Sequence, residues 1–189
     1  MKREHATLLL QPISYQNIDF EEDIINQIQE FYGFNVIVAK SIQVPQSFVN
    51  YEKGFRYSAS DILDYLGVIK TDDHSLVLGI TATDIFVSKK DKYRNIKKPE
   101  NKYRVWGIMG LAKRPGVAAV VSTKRLQNAS KQKYKERLLK VILHEIGHNL
   151  GLKHCEDKKC LMTDAVEKVS TIDHALLGLC SNCSRQIGN

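Results

Sequence analysis

Residues 130–154 carry the pattern that most restricts how this chain can fold, a long helix ending in closely spaced histidines. Apolar residues recur at helical spacing along the segment 131–151, with Leu138, Val141 and Ile142 among them. Ser130 can cap the first turn, and Gly151 can adopt the left-handed conformation that ends helices. We therefore predict one helix from about residue 131 to residue 150.

The end of this helix contains His144, Glu145 and His148 in the order H-E-x-x-H. Side chains four residues apart project from one face of a helix, one turn apart. The two imidazoles can therefore reach a single Zn²⁺ ion, while the glutamate between them points toward an open coordination position. This spacing predicts a metal site in which Glu145 is a candidate general base.

Two further residues extend the motif, because Gly151 and His154 complete the pattern H-E-x-x-H-x-x-G-x-x-H. A glycine lets the chain turn sharply after the helix, so a histidine six residues beyond His148 can reach the same ion. Three neutral imidazoles leave the full charge on the metal, which makes it a strong Lewis acid. We take His144, His148 and His154 as the candidate ligands.

All four cysteines follow these histidines, as Cys155, Cys160, Cys180 and Cys183. The spacings C-x₄-C and C-x-x-C each allow two thiolates to reach one tetrahedral centre. In a reducing compartment such cysteines are more typical of ligands than of disulfides, and two disulfides remain the alternative.

The 40 residues from His144 to Cys183 resemble the archaemetzincin signature H-E-x-x-H-x-x-G-x-x-H-C-x₄-C-x-M-x₁₇-C-x-x-C, and every specified position is present. Upstream, the segments 106–112 and 118–126 are also similar to that family, although less specifically. Archaemetzincins are metzincin-type zinc metallopeptidases.

The resemblance implies roles for individual residues of this chain. His144, His148 and His154 would hold a catalytic zinc, with Glu145 as general base. Met162 would form the Met-turn, a packed floor beneath the metal. The four cysteines would hold a second, structural zinc, which makes two zinc ions per chain. The substrate would be a peptide or protein lying antiparallel to the edge strand formed by Trp106, Gly107, Ile108, Met109, Gly110, Leu111 and Ala112.

Hydrophobic periodicity and turn residues predict an α/β or α+β fold, with a twisted, mainly parallel sheet that has an antiparallel edge and is backed by helices. We expect a single metallopeptidase domain over residues 1–189. Residues 1–151 would form an N-terminal subdomain that includes the active-site helix, and residues 152–189 a small zinc-stapled C-terminal subdomain. The predicted helices are 19–32, a segment capped by Ser58 or Ser60 and ended by Gly67, 131–150 and 172–179. The predicted strands are 6–10, 34–38, 106–112 and 117–122. Residues 75–87 are predicted to form a buried strand and its exit, and residues 89–104 a mobile surface loop.

Charge offers a competing hypothesis, because the chain carries a net charge of +7 and its basic residues are concentrated in segments. The protein could be a catalytically silent, zinc-stabilised module that binds peptide or RNA through these segments. A solvated charged face is the simpler interpretation, and a pure binding module does not need Glu145 beside two histidines. In a peptidase, the basic segments upstream of the helix would favour acidic peptides.

No apolar run approaches the ~18 residues of a membrane helix, and the first apolar stretch is shorter than that of a signal peptide. We therefore expect a cytosolic protein without a membrane partner. The sequence carries no signal for an oligomeric state.

Overall fold

A computed structural model describes residues 6–14, 22–164 and 168–188 of the chain. The strands are β1 (Thr7–Ile13), β2 (Asn35–Val38), β3 (Val49–Asn50), β4 (Arg56–Ser58), β5 (Leu76–Thr81), β6 (Asp84–Val87), β7 (Trp106–Ile108), β8 (Gly110–Ala112) and β9 (Ala118–Ser122). The helices are α1 (Glu22–Tyr32), α2 (Ala59–Ile69), α3 (Glu100–Tyr103), α4 (Lys131–Asn149), α5 (Val169–His174) and α6 (Ser181–Gln186).

The larger sheet has five strands in the order β2-β1-β5-β9-β8. The first four run parallel, and β8 pairs with β9 in the antiparallel direction. Every residue of the central strand β5 is buried, as expected for a parallel strand covered on both faces. The predicted mainly parallel sheet with an antiparallel edge is confirmed.

A second sheet has four short strands in the order β3-β4-β6-β7, and it was not predicted. The predicted strand 106–112 is wrong as one element, because it contributes to both sheets. Ile108 in β7 pairs with Ile85, whereas Gly110 in β8 pairs with Val121. Residues 75–87, predicted as a buried strand and its exit, form β5 and then β6, which lie in different sheets.

Helices cover both faces of the five-stranded sheet. On one face, α1 and α4 pack with the sheet in a core that includes Leu10, Ile28 and Ile142. On the other face, α2 packs in a second core that includes Ile62 and Val120. Helix α4 is therefore buried from Leu138 to Asn149, apart from the partly exposed His144.

Two predicted helix ends differ from the structure. Ser58 caps α2 by accepting a hydrogen bond from the backbone N–H of Asp61, as expected, but the helix continues past Gly67 to Ile69. The predicted helix 172–179 ends instead at His174, and Cys180 immediately precedes α6. Residues 19–21 of the predicted first helix lie outside the described residues, and α1 covers the rest up to Tyr32.

The predicted loop 89–104 contains more order than expected. Lys90 and Ile96 form an isolated antiparallel bridge, and α3 occupies its last turn. Over the described ranges, no helix has the length and apolar character needed to cross a membrane.

Candidate active site

The helix α4 begins and ends where the sequence predicts. The hydroxyl of Ser130 accepts a hydrogen bond from the backbone N–H of Lys133 at 3.3 Å, and Gly151 has a positive φ of 99° after the last turn. The side-chain amide of Asn149 donates to the carbonyl oxygens of Lys113 and Ala118, both at 2.9 Å. These bonds fix the end of α4 against β8 and β9, so the histidines are presented from a rigid element.

The structure brings the three candidate ligands together. Each of His144, His148 and His154 offers a ring nitrogen, and these atoms lie within 4.8 Å of one another. The ring centroids of His144 and His148 are 4.6 Å apart, and those of His148 and His154 are 4.8 Å apart. His154 follows the glycine turn and is the exposed member of the group.

Backbone carbonyl groups hold the rings of the two helical histidines. Nδ1 of His144 lies 2.8 Å from the carbonyl oxygen of Leu161, and Nδ1 of His148 lies 2.7 Å from that of Leu152. Such bonds place the ring proton on Nδ1 and leave the lone pair of Nε2 free to bind a metal ion. Burial lowers the pKa of His144 to about 4, so its ring is neutral, the form that binds metals.

Glu145 is buried against the backbone of β8. A Cβ atom added to Gly110 would lie 2.5 Å from Oε1 of Glu145, so only glycine leaves room for the carboxyl group there. Burial raises the pKa of this carboxyl group to about 8. The side chain lines the same cleft as the three histidines, which is where a general base would have to lie.

Met162 is fully buried and packs beneath α4. A Cβ atom added to Gly147 would lie 2.5 Å from Sδ of Met162 and 3.0 Å from the hydroxyl of Tyr32. That hydroxyl donates to the carbonyl oxygen of Leu143 at 2.9 Å, which ties α1 to α4. A glycine inside a helix costs about 1 kcal/mol, and close packing is a common reason for one. A glycine inside the predicted helix is thus the sequence signal for this contact.

Replacing Gly147 with alanine is expected to destabilise the protein by about 1–3 kcal/mol, because the added methyl group overpacks against Met162 and Tyr32. Denaturant unfolding measures the effect. Gly67→Ala is the matched control, since it also lies in a helix but has no atom within 4 Å of its added Cβ. That change is expected to stabilise by up to about 1 kcal/mol. Equal shifts in the two variants would contradict the tight contact.

The four cysteines also converge, with sulfur atoms within 4.8 Å of one another. Sγ of Cys155 lies 3.7 Å from Sγ of Cys180, well beyond the length of a disulfide bond, and all four thiols are free. The backbone N–H groups of Met162 and Cys180 donate to Sγ of Cys160 at 3.5 and 3.3 Å. A hydrogen bond from the backbone N–H of Cys183 lowers the pKa of Cys180 to about 7.

The histidines line a cleft of about 420 Å³. Of the seven residues predicted to contact substrate, the five from Ile108 to Ala112 line this cleft, whereas Trp106 and Gly107 line a neighbouring cavity. Lys140 also lines the cleft, and we had not predicted it. Its buried ammonium group bonds Glu136 and, at 3.2 Å, the carbonyl oxygen of Ile172. Its position four residues before His144 on the same helix face could have indicated it.

A partly buried ion pair positions the far wall of the cleft, which α5 supplies. Nε and Nη2 of Arg137 each donate to a carboxylate oxygen of Asp173 at 2.7 Å. The Arg137 guanidinium lowers the pKa of Asp173 to about 2. This two-pronged contact holds Ile172 and Ala175 of the cleft against α4.

Comparison with known proteins gives consistent results. The model of a peptidase family, described as Peptidase family M54, matches residues 10–189. An archaemetzincin of Archaeoglobus fulgidus is 30% identical over 180 residues, which cover 95% of this chain and 98% of that protein. An archaemetzincin of Methanopyrus kandleri is 29% identical over 165 residues, which cover 87% of this chain and 82% of that protein.

Solved structures agree with the sequence relatives. The crystal structure of the Methanopyrus kandleri archaemetzincin matches with a TM-score of 0.77 and 27% identity, and the match covers 98% of this chain and 95% of that one. The Archaeoglobus fulgidus structure matches with a TM-score of 0.74 and 28% identity, covering 96% and 99%. The resemblance noted in the sequence is thereby confirmed. The chain belongs to peptidase family M54, the archaemetzincin family of zinc metallopeptidases.

Proposed function

We propose that this chain hydrolyses peptide bonds at the cleft between β8 and α4, with a zinc ion held by His144, His148 and His154 and with Glu145 as general base. The observation that carries the proposal is the convergence of three imidazole nitrogens beside a buried carboxyl group. Family membership supports the same reaction class.

The donor set fits zinc. Hydrogen bonds from Nδ1 of His144 and His148 to backbone carbonyl groups leave Nε2 to bind, an arrangement typical of zinc-binding histidines. Three protein ligands leave a fourth tetrahedral position for water or substrate, as in catalytic zinc sites. A bound zinc ion supplies Lewis acidity, which polarises a carbonyl oxygen and makes a water molecule more acidic.

Glu145 moves the proton in this mechanism. Burial raises the pKa of this carboxyl group, and a cation held by the histidines would lower it again and favour the carboxylate. The carboxylate would take a proton from the attacking water and then deliver that proton to the departing amine. Packing against Gly110 and burial in the cleft keep the carboxylate in one position and away from bulk solvent. A positioned base of this kind needs no rearrangement between the two proton transfers.

Strand β8 is proposed to align the substrate. It is the last strand of the five-stranded sheet, and among the described residues its second edge has no paired strand. An extended peptide can add to such an edge through main-chain hydrogen bonds. Gly110, Leu111 and Ala112 would then run beside the scissile bond, because they line the cleft next to Glu145.

The four cysteines are proposed to hold a second, structural zinc. A backbone N–H group lowers the pKa of Cys180, whereas burial raises the pKa values of Cys160 and Cys183, so a bound cation would be needed to keep all four groups as thiolates. Four thiolates are a common ligand set of structural zinc sites. This ion would join the loop after α4 to α6, so residues 152–189 would form a subdomain distinct from residues 1–151.

The proposal is tested by metal removal. We expect purified protein to contain two zinc ions per chain and to cleave members of a peptide pool. Stripping with 1,10-phenanthroline should abolish cleavage, and added zinc should restore it. Salt-dependent RNA binding by zinc-loaded protein that cleaves no peptide would contradict the proposal and favour a binding module.

A further inference from the structure

A second cavity of about 440 Å³ adjoins the catalytic cleft, and we call it the basic cavity. Four cations line it, Lys53, Arg56, Lys102 and Arg125, and β7 forms one of its walls. Its volume is within the range of ligand-binding pockets. The motif H-E-x-x-H-x-x-G-x-x-H uses none of these residues.

One carboxylate organises the two arginines. Oδ2 of Asp84 lies 2.9 Å from Nε of Arg56, and the two oxygens of Asp84 accept from Nε and Nη2 of Arg125 at 2.6 and 2.8 Å. Asp84 is mostly buried, with 14% of its side chain exposed. A single negative charge therefore holds two guanidinium groups in place, and the four lining cations retain a clear excess of positive charge.

The guanidinium of Arg125 lies directly on the backbone of β7. A Cβ atom added to Gly107 would come within 1.7 Å of Nη2 of Arg125, so any other residue would expel this group from its position. The position of the Arg125 side chain thus explains why residue 107 is a glycine, and the sequence alone did not indicate this. The close approach places a fixed positive charge on the strand that leads into the catalytic cleft.

The basic cavity and the catalytic cleft share a wall, because Ile108 and Met109 line both. One lysine from each cavity lies near the ring of Trp106. Nζ of Lys89, which lines the cleft, lies 4.0 Å from the centroid of the Trp106 ring, and Nζ of Lys102, which lines the basic cavity, lies 5.6 Å from it. A peptide bound in the cleft therefore passes close to the cations of the cavity.

From this arrangement we propose that the basic cavity binds acidic side chains of the peptide substrate, so that the enzyme prefers substrates with glutamate or aspartate near the scissile bond. The inference rests on the proposed peptidase function. Asp84 occupies Nε and Nη2 of Arg125 and Nε of Arg56, so a substrate carboxylate would meet the remaining guanidinium N–H groups and the ammonium groups of the two lysines. The side chains of Arg56 and Arg125 are 18% and 35% exposed, and partly buried charges are screened less than exposed ones.

Trp106 provides a readout that does not depend on turnover, because it is the only tryptophan of the chain and it lines the basic cavity. Two peptides of identical length are titrated into zinc-loaded Glu145→Gln protein, one with two glutamates near its centre and one with glutamines in their place. Tryptophan fluorescence gives both dissociation constants. We expect the glutamate peptide to bind about tenfold more tightly at low salt, and the difference to shrink as salt rises.

Two double variants that remove the same number of charges then test whether the preference for glutamate arises in the basic cavity. Lys53→Gln with Lys102→Gln removes two cations from the cavity, and the control Lys97→Gln with Lys124→Gln removes two exposed lysines that line neither cavity. We expect the first pair to reduce the preference for glutamate about three- to tenfold and the control pair to retain it. All four positions are at the surface of loops or a short helix, so folding is expected to be retained.

Four outcomes decide the proposal. Equal affinity for both peptides in the parent protein, or an equal loss in both double variants, would overturn it. If inorganic phosphate binds as tightly as the glutamate peptide, the cavity is a small-anion site and the substrate assignment is overturned. A preference for glutamate in protein that cleaves neither peptide when Glu145 is intact would contradict the peptidase function and still support an acidic-peptide site.

Discussion

Replacing Glu145 with glutamine is expected to lower kcat for peptide hydrolysis by about 10²- to 10⁴-fold while both zinc ions stay bound. The amide has nearly the shape of the carboxylate and fits the space beside Gly110, but it cannot accept the proton of the attacking water. Glu145 is outside the group of converging histidines, so its loss leaves that donor set complete. Initial rates on a peptide substrate and elemental analysis for zinc measure the two expectations.

The control for this change is Glu30→Gln, which removes one exposed carboxylate from α1 at a site that does not line the cleft. Its rate should match that of the parent protein. Near-parental activity in the Glu145 variant would assign the proton transfer to another group. A loss of zinc together with activity would instead make Glu145 a metal-site residue.

Replacing Cys155 with alanine is the change with the widest expected effect, since we expect it to release the structural zinc and to weaken zinc binding at the histidines about 10- to 100-fold. Cys155 directly follows His154, and its backbone N–H donates to the carbonyl oxygen of Met162 at 2.8 Å. Loss of the structural ion would free this connection and with it the loop that carries the third imidazole. Zinc retained during titration with a chelator measures the coupling.

Lys158→Ala tests whether any change in this loop has the same effect, because Lys158 is exposed between Cys155 and Cys160 and is outside the cysteine cluster. It should retain both ions. Full occupancy of the histidine site in the Cys155 variant after mild chelation would show that the two sites are independent.

The candidate site could be predicted because its candidate ligands depend on local spacing. His144 and His148 are set by one helical turn, and His154 is set by the glycine turn that follows. The same holds for the cysteine pairs, whose loops are short. The contacts that support these groups are long-range. The carbonyl of Leu161 lies 17 residues from His144, and Gly110 meets Glu145 from another element, so no periodicity could indicate them.

Helix ends were misassigned where tertiary contacts outweigh local preference. Gly67 does not stop α2, because Leu66 is fully buried and Ile69 also packs on the core, which offsets the cost of a glycine. Residues 175–179 leave the helix because their backbone bonds a distant segment. Leu176 donates to the carbonyl of Lys159, and the carbonyl of Gly178 accepts from Leu161, both at 2.8 Å.

The division of residues 106–112 between two sheets could not be predicted from the sequence, because it too depends on tertiary contacts. An apolar run shows that a segment is buried, but it does not show which strand the segment pairs with. The backbone changes partner at Met109, whose carbonyl accepts from Ser122 at 2.8 Å. The strands of the second sheet are only two to four residues long, too short for an alternating pattern to stand out.

The carbonyl groups that orient the rings of His144 and His148 belong to Leu161 and Leu152, which both come after α4 in the chain. The helix can form from its own residues, but both imidazoles gain their carbonyl partners only when the chain has folded as far as Leu161. A chain cut between α4 and Leu161 would therefore keep the two helical histidines but leave the ring of His144 without the contact that orients it.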